Sequence, residues 1–129
     1  MYLERDYIMR SIHNMIRAIF KFVFRIDLTE GQPIELDDSE RMEQLARLME
    51  QVRRGQAQAA EALLYTQLNA ENRQDLGWAL AFYDALNELD DDALQKCGFS
   101  RDQIRQGIAR AMALFGASGV MALFDGEPF

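Results

Sequence analysis

The sequence is poor in the residues from which most recognisable chemistry is built. Its 129 residues hold one cysteine, one histidine and two prolines. A single cysteine excludes an intramolecular disulfide, and with a single histidine it falls short of a four-ligand structural zinc site. So few prolines, with only eight glycines, exclude collagen-like and low-complexity architectures. No run approaches the roughly 18 apolar residues of a membrane-spanning helix. Arg17, Lys21 and Arg25 interrupt the most apolar stretch. The opening Met1-Tyr2-Leu3-Glu4-Arg5-Asp6 carries acids where a secretory leader carries bases, so a cytoplasmic location is expected. No N-x-S/T glycosylation acceptor occurs.

What is present is the balance of an ordinary globular domain. Hydrophobic residues make up 49% and charged residues 27%. A chain of this length buries roughly two-thirds of its unfolded surface, enough for a core without staples. Apolar residues at Ile8, Ile12, Met15, Ile16, Ile19, Phe20 and Val23 recur at three and four, so a first helix is read from about Asp6 to Ile26. Its last turn is ambiguous, because Phe22, Val23, Phe24 and Ile26 also suit a strand. Residues 27–37 read as an acidic loop broken by Gly31 and Pro33.

Asp37 or Ser39 caps a second helix, with Met42, Leu45, Ala46, Met49 and Val52 as its apolar stripe and Gly55 as its left-handed stop. A third helix from about Gln56 to Leu68 turns Ala60, Leu63, Leu64 and Leu68 inward. Asn69 is the expected cap of a fourth helix reaching Leu89. That helix is apolar over much of its circumference, which places it in the middle of a bundle. Asp90, Asp91 and Asp92 mark another helix start, where the N-terminal dipole favours acids. The sharpest local signal follows. Gly98 closes a short helix, Ser100 and Gln103 form an S-x-x-Q capping box, and Phe99 and Ile104 stand as a hydrophobic staple. The last long helix buries Ile104, Ile108, Met112 and Phe115, is loosened by Gly116 and Gly119, and leaves an apolar patch at Val120, Met121, Leu123 and Phe124.

The expected fold class is all-α. Five to six helices in antiparallel hairpins form a small bundle or a tetratricopeptide-like stack. One domain spans 1–129, with a basic amphipathic helix at 1–26, the acidic loop at 27–37 and a helical body at 38–129. A true tetratricopeptide repeat fails residue by residue. With Leu76-Gly77 on the Leu-Gly pair of that pattern, Arg73, Leu80 and Leu89 fall where Trp, Tyr and Ala belong.

Asp6-Tyr7-Ile8-Met9-Arg10 before an amphipathic helix resembles the opening of a family of short bacterial proteins of unknown function. Gly98-Phe99-Ser100, then Ile104 and Gly107, is similar to that family's C-terminal part. The resemblance implies a bacterial, cytosolic, helical protein and no particular activity.

Catalytic and cofactor patterns are absent. His13 and Cys97 lie far apart in the chain with no orienting group beside either. Gly116-Ala117-Ser118-Gly119 lacks the lysine, the hydroxyl and the preceding strand of a phosphate loop. The clusters Asp37-Asp38 and Asp90-Asp91-Asp92 lack a calcium loop's length and glycine, and no Glu-x-x-His pair suggests a di-iron bundle. No cofactor and no metal are therefore expected, and the chain is read as not an enzyme. Trp78, Phe82 and Tyr83 read as core rather than pocket lining.

The charge layout is the informative departure. Between Tyr7 and Ile26 stand four bases, Arg10, Arg17, Lys21 and Arg25, and no acid, with His13 and Asn14 in the same band. From Asp27 onward nine bases face 19 acids, a net of -10. The first helix therefore packs on the body, pairs with its copy in a dimer, or lies on an anionic membrane. Nucleic acid is unlikely with so acidic a remainder. The candidate interaction surface is Arg10, Arg17, Phe20, Lys21, Phe22, Phe24 and Arg25 with Val120, Met121, Leu123 and Phe124. The expected function is a non-enzymatic interaction or scaffolding module, as a homo-oligomer or with another protein. Peripheral membrane association is the alternative, and an enzyme with an unrecognised acid/base site is the third reading.

Overall fold

The computed structural model describes the backbone of residues 2–25 and 39–121, and the side chains of 7–25 and 39–119. The acidic loop 27–37 and a cap at Asp37 lie outside the described residues. Within them the chain is all-α, with no strand. Helix α1 runs Tyr2–Ile19 and continues through a π-helical turn, Phe20–Phe24. Then come α2 (Ser39–Arg53), α3 (Ala57–Gln67), α4 (Arg73–Asn87), α5 (Asp91–Lys96), α6 (Arg101–Leu114) and a final single turn, α7 (Ser118–Met121).

Helix α4 is the axis of the bundle. Twelve of its residues are buried, including Trp78, Phe82 and Tyr83, which settles those three as core. Helices α1, α2 and α6 pack around it. Two of these neighbours run antiparallel to α4. Along α1, Phe20 meets Gly77, His13 meets Asp84, and the Met9 carbonyl accepts from Asn87 Nδ2. Along α6, Gly107 meets Tyr83 and Arg101 meets Asn87. The apolar stripe of α1 (Ile12, Met15, Ile16, Ile19) is spent entirely on this core.

Local signals account for most boundaries. Gly55, Gly98 and Gly116 all adopt positive φ. At each, the next residue's N–H reaches back to an earlier helix carbonyl: Gln56 to Gln51, Phe99 to Leu94, Ala117 to Met112. This is the paired closure that a left-handed residue permits. Ser100 Oγ accepts from the Gln103 N–H, and Asp90 Oδ1 from the Ala93 N–H. Phe99 and Ile104 are both buried, as a staple requires.

Several expectations need correction. The cap of α4 is Asn72, whose Oδ1 accepts from the Gln74 N–H, not Asn69. Asn69 instead donates its own N–H to Asp75 Oδ2. Helix α4 ends at Asn87 rather than Leu89. On α2, Leu48 is buried and Ala46 is exposed, because the buried stripe follows Leu45, Leu48, Met49 and Val52. On α3, Leu63 is exposed, and Ala57, Ala60 and Leu64 face inward.

Candidate functional site

The end of α1 is where regular structure gives way. The Arg25 N–H donates to the Phe20 carbonyl, five residues back, so the last turn is wider than an α-turn. Arg25 itself takes φ 60 and ψ 30, the left-handed conformation, which costs a side-chain-bearing residue roughly 1 kcal/mol. Wide π-turns and left-handed non-glycine residues both concentrate at functional positions. Phe20 and Phe24 stay on one face, with ring centroids 5.1 Å apart, over Gly77 of α4. Phe22 is turned out and is 57% exposed.

Beside this turn is a surface cavity of about 420 Å³. Phe22, Val23, Leu76 and Phe115 give it an apolar wall, while Arg25 and Arg73 bring two guanidinium groups to it with one carboxylate, Glu71. Arg73 is the first residue of α4, so that helix's positive end also faces this region. The combination suits a partner that is apolar and anionic at once.

The candidate surface residues divide. Arg10, Lys21, Phe22 and Arg25 are exposed. Arg17 is half-buried and its Nη1 donates to Asn14 Oδ1 at 3.4 Å. Phe20 is a correction: at 4% exposure it belongs to the core, because it faces α4 with Phe24 stacked behind it. Phe24 is half-buried for the same reason. Val120 and Met121 lie on α7, and Leu123 and Phe124 fall outside the described residues. Among the described residues, no helix is long and apolar enough to cross a membrane. The apolar face of α1 at Ile12, Met15, Ile16 and Ile19 is buried in the core.

His13 is a second correction. It is not part of a solvated basic band but faces α4, where its Nδ1 lies 2.9 Å from Asp84 Oδ1. Both side chains are mostly buried, at 13% and 7% exposure, and His13 Nε2 is buried with no hydrogen-bond partner among the described residues. Glu88, one turn beyond Asp84, brings a carboxylate oxygen into the same cluster, whose three atoms lie within 4.8 Å of one another. Burial pushes the Asp84 carboxyl above the usual carboxylate range, and the His13 contact pulls it partly back. The 71-residue separation hides this pair from motif reading. One signal was legible: an acid inside an otherwise apolar run must be buried and therefore partnered.

Asp75, which follows Arg73 and Gln74 in the first turn of α4, carries no such signal in sequence. It is 1% exposed and accepts from Arg41 Nη2 at 2.9 Å and from the Asn69 N–H at 2.8 Å. The Arg41 guanidinium also lies over Trp78, 4.3 Å from the ring centre. At the other end of α4, Arg101 donates to the carbonyls of Asn87 and Leu89, where a cation complements the helix terminus. A third polar group joins three helices. Tyr83 Oη donates to Glu61 Oε2, Arg110 donates to the same oxygen at 3.0 Å, and Tyr65 Oη lies 3.1 Å from Tyr83 Oη. Desolvation, with the Glu61 carboxylate next, pushes the Tyr83 hydroxyl far above its ordinary range, so it acts as a fixed donor. Cys97 is buried, its Sγ bonded to the Leu94 carbonyl, and burial pushes its thiol up as well. Neither group is placed to serve as a nucleophile.

Neither a curated protein nor a solved structure matches the chain. A family model does, over residues 2–116, and its span takes in both stretches that carried the resemblance. The chain belongs to that family, DUF6483, a family of unknown function.

Proposed function

We propose that this protein is a non-enzymatic interaction module that self-associates through the surface at the end of α1. The observation that carries the reading is the cavity beside the π-turn, where exposed Phe22 stands next to Arg25 and Arg73. An exposed aromatic flanked by guanidinium groups has the composition of an interface anchor. A second copy of the chain supplies the matching charge: the protein carries -7 overall, while this surface is locally cationic. Such a contact associates faster at low salt and weakens as salt rises. Symmetric pairing is also the commonest route to a soluble assembly.

Absolute mass by light scattering behind a sizing column, across a concentration series, tests the proposal. A dimer that Phe22→Asp or the pair Arg25→Glu and Arg73→Glu converts to monomer supports it. A monomer at high micromolar concentration overturns it, and so does a dimer that these variants leave intact.

A further inference from the structure

His13, Asp84 and Glu88 form a cluster that neither the core nor the proposed interface uses. Asp84 and Glu88 are four residues apart, so they project from one face at the C-terminal end of α4. His13 comes from α1, across the helix contact. Each residue offers one ligand atom, and the three atoms lie within 4.8 Å of one another. The Nδ1 to Oδ1 distance of 2.9 Å is a hydrogen-bond distance. It falls about half an ångström short of the roughly 3.4 Å that separates two ligand atoms held tetrahedrally about 2.1 Å from one ion, so a small side-chain rotation seats one. Asp84 is mostly buried, and among the described residues its side-chain hydrogen-bond contact is His13. The remaining ring nitrogen of His13 is buried with no hydrogen-bond partner among the described residues. The Asp84 carboxyl group is thus withdrawn from water and held from one side, by the His13 ring. The carbonyl end of α4 adds partial negative charge at the same place.

We infer that His13, Asp84 and Glu88 bind one divalent transition-metal ion, with Zn2+ as its representative. One imidazole nitrogen and two carboxylate oxygens make a mixed donor set that suits such ions. Calcium takes six to eight oxygens, which this site does not offer. Exposed Glu88 closes the site by a change of rotamer, and water completes the coordination. The bound ion ties α1 to α4 and replaces the proton between His13 and Asp84.

The test titrates the full-length, chelator-treated protein with Zn2+ by calorimetry, and repeats it with Co2+ followed by visible absorption. The expected result is one ion per chain. The Co2+ spectrum should lack a thiolate charge-transfer band, because Cys97 takes no part. Glu88→Gln changes an exposed side chain and cannot unfold the protein, and Asp84→Asn keeps an acceptor for His13. Each should weaken binding about tenfold or more. Absence of saturable binding overturns the inference, leaving the His13–Asp84 pair as a structural tie. So does binding that both variants leave unchanged, or a cobalt spectrum with thiolate character.

Discussion

Gly107→Ala should destabilise this protein, although general rules for helices say the opposite. Gly107 lies inside α6, where alanine is better than glycine by about 1 kcal/mol. Packing reverses the sign. A Cβ built on Gly107 falls 2.6 Å from Tyr83 Oη and closer still to the ring carbons Cε1 and Cζ. Carbon atoms pack best at about 3.5–4.0 Å, so the overlap is near an ångström. The ring cannot retreat cheaply, because Tyr83 is fully buried and its hydroxyl is held by Glu61 and Tyr65. Moving it strains the core by about 1–3 kcal/mol and loosens two hydrogen bonds worth about 1 kcal/mol each. The net loss is about 2–4 kcal/mol once the helix gain is subtracted.

Urea unfolding followed by circular dichroism measures it, with an unchanged slope as the condition for reading the midpoint as stability. Gly77→Ala is the internal control. Gly77 also lies inside a helix, but its nearest neighbours would be Phe24 Cζ at 3.6 Å and Phe20 at 3.8 Å, which is ordinary contact. That variant should be neutral or stabilised by up to about 1 kcal/mol. Tyr83→Ala removes the obstacle, so adding Gly107→Ala to it should cost nothing further. If Gly107→Ala stabilises the protein, or costs the same with and without the Tyr83 ring, the argument is wrong.

Four further outcomes follow from the same structure. Asp75→Ala should cost about 3 kcal/mol in urea unfolding, because it strands the Arg41 guanidinium and the Asn69 N–H together, whereas Asp75→Asn should recover part of the loss. Arg101→Lys should lower stability by about 1–2 kcal/mol, since an ammonium cannot reproduce the fork that reaches the Asn87 and Leu89 carbonyls at once. Cys97 should react with a thiol reagent only as fast as the protein opens, and the rate should track the unfolded fraction across a urea series. Asp84, held above the usual carboxylate range, keeps its proton in the folded state where the unfolded chain has lost it. Its contribution to stability is full below that range and declines as pH rises through the folded value, so Asp84→Asn should flatten this part of the metal-free protein's stability–pH curve.

The parts of the fold legible in the sequence are those decided within one or two helical turns. The closures at Gly55 and Gly98 and the caps at Asp90 and Ser100 each depend on neighbours a few residues away. The central place of α4 was legible for a different reason: a helix apolar all round has nowhere else to go. Where the reading failed, the deciding neighbour was distant or the local signals were tied. Asn69 and Asn72 are equally good caps by residue type. Asp75 chose between them, because its carboxylate takes the Asn69 N–H while Asn72 remains free to hold Gln74. The π-turn was missed because period counting assumes a constant pitch.

The candidate sites were hidden by the same asymmetry. A basic stripe on α1 is conspicuous in sequence, yet its members do not act together. His13 turns into the protein and Arg17 is half-buried, so the surviving cationic surface centres on Lys21 and Arg25 and gains Arg73 from a different helix. Periodicity identifies the face of a helix, but it does not say which edge of that face the neighbouring helix covers. The two acids buried on α4 follow the converse rule. Asp84 interrupts a run of apolar residues and Asp75 stands at the edge of one, after Arg73 and Gln74, and a buried ionisable group at either place has to find a partner from elsewhere in the chain. Arg41 lies 34 residues before the first and His13 lies 71 before the second. A buried acid in an apolar helix therefore announces from sequence that a polar tie exists, while only the packing of α1 and α2 on α4 names the residue that completes it.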